Sequence, residues 1–139
     1  MNHSKINALS LIVGIAFLQS VVAQEGWDTE PSLVNITDNV FRTVHRPAAA
    51  NSVVIATDEG LVVVDGTCRG RGDPAWLKEE LARRFDVPVK YVILSHDHED
   101  HICDLQVFDD TAVTISHART REHILRENRN TSIPDIVFH

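Results

Sequence analysis

Three imidazoles and three carboxylates fill six consecutive positions, His96, Asp97, His98, Glu99, Asp100 and His101, directly after the apolar run Tyr91 to Leu94. Side chains alternate along an extended backbone, so His96 and His98 project to the same side and can share one metal ion. Asp100 and His101 come where the chain leaves that strand for a helix, so a carboxylate and a third imidazole can approach from a slightly different direction, enough for a second ion beside the first. Zinc suits the set, since it takes histidine nitrogen and carboxylate oxygen at about 2.0 to 2.2 Å and keeps a water position open in catalytic sites. Water bound there falls to a pKa of about 7, which makes hydroxide available at neutral pH. Iron and manganese accept the same donors, so the spacing argues for a metal centre more strongly than for one element. A solvated loop accounts for one histidine, not for three interleaved with acid behind an apolar strand. A nucleophile built on Ser95 leaves two imidazoles and Asp100 without a role.

The elements that must hold this loop follow from period and punctuation. The runs Leu33 to Thr37 and Val40 to Val44 read as short strands around the turn-forming Asp38-Asn39. Ser52 to Thr57 and Leu61 to Gly66 flank Asp58-Glu59-Gly60, where Gly60 takes a positive φ that other residues avoid. Asp73 is placed to cap a helix that starts with Pro74 and carries Leu77, Leu81 and Phe85 at four-residue spacing. Val87 to Leu94 is a strand whose all-apolar end predicts cover on both faces. A short helix over Asp100 to Phe108, a strand over Ala112 to His117, a helix over Ala118 to Asn128 and a last strand at Pro134 to His139 complete the order. Alternating strands and helices after the opening hairpins predict a mixed α/β domain.

The motif His96-x-His98-x-Asp100-His101 resembles the signature of the metallo-β-lactamase superfamily of hydrolases, and the order of hairpin, helix and metal-loop strand before it fits the same family. The resemblance covers residues 34–139 and implies an αββα sandwich of metallo-β-lactamase type, truncated here to its N-terminal half. It makes His96 and His98 ligands of one zinc and Asp100 and His101 ligands of a second, with Asp100 also the catalytic residue that orients the attacking hydroxide. Asp65, at the end of Leu61 to Val64, resembles the acid that supports the metal loop from outside the ligand set. The family's remaining ligands fall beyond the end of this sequence. His117, His123 and His139 do not stand at its motifs, and His123 reads as a solvated helix-face residue. Many relatives continue the signature with Ile-Gly-Gly where this chain has Ile102, Cys103 and Asp104. Asp97 and Glu99 read as spacers.

At 139 residues, with 43% apolar and 24% charged residues, the chain suits one ordinary globular domain. Residues 1–23 run from Lys5 through an apolar stretch to small residues at Val21 and Ala23, the order of a secretory signal peptide. The stretch is too short for a stable membrane span. The expected organisation is thus a signal peptide over 1–23 and an incomplete metallo-β-lactamase-like domain over 24–139, exported to the periplasm or outside. Removal of the signal takes one lysine and leaves 12 basic against 20 acidic residues, a net charge of −8 that argues against nucleic-acid binding. Two cysteines, Cys68 and Cys103, are free to pair or to stay apart. The glycines of Arg69 to Pro74 do not have a nucleotide fingerprint's spacing and read as a connector. His45 and Trp27 are candidates for the rim of a substrate cleft.

The resemblance implies a zinc-dependent hydrolase acting on a carbonyl or ester-like bond of a small molecule, with a β-lactam favoured by export. Its rivals are a glyoxalase-like thioesterase or lactonase, a non-hydrolytic metal-binding partner protein of the periplasm, and an inactive fragment. Fold-level likeness leaves the substrate open.

Overall fold

The computed structural model describes residues 30–45, 50–67 and 74–139. The expected signal peptide, Trp27, Cys68 and the Asp73 cap lie outside the described residues. Seven strands form one sheet in sequential order: β1 (Ser32–Asn35), β2 (Val40–Val44), β3 (Val53–Thr57), β4 (Gly60–Val64), β5 (Val89–Leu94), β6 (Val113–His117) and β7 (Ile136–Phe138). β1 to β4 are antiparallel, whereas β4 to β7 are parallel. The change is a matter of connection length. A turn of two residues, Asp58-Glu59, returns the chain beside β3, whereas parallel neighbours need a crossover long enough to hold a helix.

Those crossovers carry α1 (Pro74–Arg84), then α2 (Glu99–Ile102) with a 3-10 turn (Leu105–Phe108), then α3 (Ala118–Glu127). Their apolar residues close a single core with one face of the sheet. Leu77 and Leu81 of α1, Ile102, Leu105, Phe108 and Ile124 all pack there with Val54, Val63, Val92 and Leu94. Each such side chain stabilises the fold by about 1.5 to 3 kcal/mol relative to exposure.

The opposite face differs from the sequence expectation for β5. Val92 and Leu94 are fully buried, but Tyr91 and Ile93, pointing the other way, are only half-buried. The reason lies in the side on which the helices sit, since every helical core residue joins the Val92 and Leu94 face. Registered pairs carry an apolar row over the face that no described helix covers, from Val53 through Val64, Ile93 and Ile115 to Ile136.

Two local geometries depart from regular strand and helix. Gly60 has φ +144°, and a Cβ there would meet the Lys90 Cβ at 2.9 Å and the Pro88 carbonyl oxygen at 3.1 Å, so only glycine lets β4 start this close to β5. The expected single helix over Asp100 to Phe108 is instead two short pieces. Asp104 breaks it, standing in the left-handed region at φ 55°. Its amide donates to the Asn130 carbonyl at 3.2 Å, and its carboxylate accepts from Asn130 Nδ2 at 2.7 Å. Aspartate tolerates this backbone because its short polar side chain bonds locally. Glycine would be strain-free there.

Candidate metal centre

The parallel strands β4 and β5 end side by side, so Asp65 and the loop Ser95 to His101 come together at the C-terminal ends of two central strands. The junction is tied through the backbone. Asp65 N–H donates to the Ile93 carbonyl at 2.9 Å, and Gly66 N–H donates to the His101 carbonyl at 2.5 Å. Asp65 is 7% exposed and holds a positive φ of 57°. A non-glycine residue in that region stores on the order of 1 kcal/mol of strain, and its carboxylate shows what the strain holds in place.

That carboxylate organises the loop. Asp65 Oδ1 accepts from the Ser95 amide at 2.8 Å, and Oδ2 accepts from the Ser95 hydroxyl at 2.5 Å. Oδ2 also lies 3.0 Å from His101 Nδ1, and Ser95 Oγ lies 2.8 Å from His96 Nδ1. With Asp65 and Ser95 Oγ as acceptors, the neutral tautomer that fits these contacts carries the proton on Nδ1 in both His101 and His96. In that tautomer each imidazole keeps its Nε2 lone pair available for a metal ion. This is the carboxylate-to-histidine arrangement that fixes the tautomer of metal-binding imidazoles.

The rings are gathered on the other side. The His96 ring centroid lies 4.2 Å from that of His101 and 4.7 Å from that of His98. His101 Nε2 lies 3.8 Å from Asp100 Oδ2. Two ligand atoms on one tetrahedral zinc stand about 3.3 to 3.4 Å apart, so that separation is close to what one ion requires. By ligand-atom proximity alone, Asp65, His96 and His101 form a group within 4.8 Å, a possible metal-binding site. Asp65 is the weaker candidate in that trio, because three hydrogen bonds already occupy its oxygens. His98 and Asp100 stand at the edge of the group, each next to a member of it.

Other sequence candidates fall elsewhere. His45 is 4% exposed with neither ring nitrogen hydrogen-bonded, so it is buried rather than on a cleft rim. His117 caps α3, its Nδ1 accepting from the Arg119 amide at 3.1 Å, and its ring meets Phe138 edge to face. Cys103 is half of a disulfide.

Two residues read as a spacer and a solvated helix residue are instead partners. His123 Nδ1 lies 3.0 Å from Asp97 Oδ2, and Arg129 Nη2 lies 4.0 Å from the same oxygen. Burial pushes the Asp97 carboxyl up. The His123 hydrogen bond, a backbone hydrogen bond and the charges of His123 and Arg129 outweigh that and hold it below its ordinary range. The pair is separated by 26 residues, so no local spacing announces it; the only signal was an acid between His96 and His98.

Known proteins resemble this chain in the same region. The family model described as the metallo-beta-lactamase superfamily matches residues 45–129. A lactamase-like protein, aptB, from Emericella nidulans is 28% identical over 81 residues, which are 52% of this chain and 25% of that protein. Among solved structures, a metallo-β-lactamase from Pontibacter korlensis superposes with a TM-score of 0.67 at 17% identity, over 78% of this chain and 53% of its own. One from Hirschia baltica gives 0.66 at 15% identity, over 80% and 53%. The metallo-β-lactamase FIM-1 from Pseudomonas aeruginosa in the mono-zinc form gives 0.65 at 17%, over 83% and 54%. At these identities the structural likeness speaks for the fold. The chain spans about half the length of these structures and a quarter of the curated relative.

Proposed function

The chain belongs to the metallo-β-lactamase superfamily, and on that premise we propose that it carries the metal-binding half of an exported, zinc-dependent hydrolase. The observation that carries the reading is the Asp65 network, which holds His96 and His101 through Nδ1 and keeps their Nε2 lone pairs available for a metal ion, His101 Nε2 within 3.8 Å of Asp100. An arrangement that spends a buried, strained carboxylate on fixing two histidine tautomers is costly for a solvated loop and apt for metal ligands.

In this reading His96 and His98 would hold one zinc, and Asp100 and His101 a second. Zinc supplies a Lewis acid and lowers the pKa of water to about 7. The protein's own part is positional. Asp65 keeps His101 and, through Ser95, His96 from rotating, and Asp100 would orient the attacking hydroxide toward the substrate carbonyl. The substrate is a small molecule with a carbonyl or ester-like bond, and a β-lactam is the leading candidate since export places the protein where such compounds are met. The thioesterase, lactonase and non-hydrolytic readings are outcomes of the same test.

That test gives the zinc-loaded chain, and a longer form that includes any downstream sequence, a chromogenic cephalosporin, a thioester, a lactone and a sulfate ester. Hydrolysis of one class, lost on chelation and restored by zinc, is the expected result. Metal binding with no hydrolysis of any class by either form contradicts the hydrolase reading.

A further inference from the structure

We propose that Asp97 and His123 are positioning residues for the metal centre, forming a strut from α3 to the middle of the metal loop that sets the aim of the His98 ring. The inference rests on the metal reading above. Asp97 lies in the loop between β5 and α2, flanked by two of the imidazoles, and its side chain reaches α3. It is met there by His123 at 3.0 Å, with Arg129 at 4.0 Å.

The far end of the strut is firmly seated. Ile124, the next residue on α3, is fully buried, and the helix closes on Asn128, whose amide donates to the Ile124 and Leu125 carbonyls. Arg129 is the secondary contact, because Glu127 Oε2 holds its guanidinium at 2.5 Å.

The need for such a strut is visible in the three imidazoles. His96 is fixed through Ser95 and His101 through Asp65. Among the described residues the His98 ring nitrogens take no hydrogen bond, and its one ring contact is with His96. Its aim therefore depends on the backbone at Asp97 and on α2 behind it. Fixing the Asp97 carboxylate to a seated helix fixes that backbone, much as hydrogen-bonded groups outside a ligand set orient the ligands themselves.

The test is cobalt(II) binding to the full chain, read by chelator competition and by the visible spectrum, with the metal-free melting temperature measured beside it. His123→Ala is expected to weaken cobalt binding about 10-fold or more and to alter the visible bands, with little change in metal-free melting. His123→Gln, which keeps an N–H donor within reach, should recover most of the affinity. Asp97→Ala removes the strut from the loop side and should match His123→Ala; it also serves if the latter fails to fold. Wild-type affinity and spectrum in the alanine variants overturn the strut alone. Equal losses in His123→Ala and His123→Gln overturn it too. A wild-type chain that takes up no cobalt overturns the metal reading, and the strut falls with it.

Discussion

Asp65 is the residue on which the centre turns, and its role separates a metal site from a cluster of polar side chains. Asp65→Asn retains the size and tolerance of positive φ but replaces an acceptor with an N–H donor facing two donors. It should lower zinc affinity by about 10- to 100-fold, measured by chelator competition. His45 makes the opposite case. A buried imidazole with neither nitrogen partnered costs on the order of 1 to 3 kcal/mol, so His45→Leu, of similar volume, should raise the denaturant midpoint. A lower midpoint would show that the ring has a partner worth keeping. At this scale the sequence announced that the loop's histidines would gather, and the His96 and His98 rings lie 4.7 Å apart although the loop has left the strand. The bonds of Asp65 to Ser95 and His101 span 30 and 36 residues, and that of Asp97 to His123 spans 26. Only the folded sheet brings such pairs together.

The elements were legible where a period or a punctuating residue marked them. Leu77 and Leu81 at four-residue spacing are both buried, and Gly60 adopts the positive φ expected of the hairpin turn. Gly60→Ala meets both the strained backbone and the 2.9 Å approach to Lys90 Cβ, so it should lower stability by about 1 to 3 kcal/mol in urea denaturation. An unchanged midpoint would mean that β4 and β5 separate at this end without cost. The break between α2 and the 3-10 turn was not legible. Apolar spacing through Ile102, Leu105 and Phe108 suits one helix, and the interruption arises from Asn130, a distant residue that takes the Asp104 amide and carboxylate.

For the molecule as a whole, alternation of strand and helix foretold the mixed α/β class and the motif from His96 to His101 its family, but neither foretold which sheet face the helices would choose. They cover one. Among the described residues the other face leaves Ile136 51% and Phe138 53% exposed, at the end of the apolar row that begins at Val53. Contiguous apolar surface of this kind binds environment-sensitive dyes. The 139-residue chain should therefore enhance the fluorescence of such a dye under native conditions, and Ile136→Lys with Phe138→Lys should reduce it without lowering the melting temperature. Isothermal titration of zinc into the metal-free chain asks directly whether the ends of β4 and β5 form a metal centre. Saturable binding is expected, and His96→Ala together with His98→Ala should abolish it while the fold persists by circular dichroism. Equal zinc binding by the wild type and that double variant, or none by a folded wild type, would contradict that assignment.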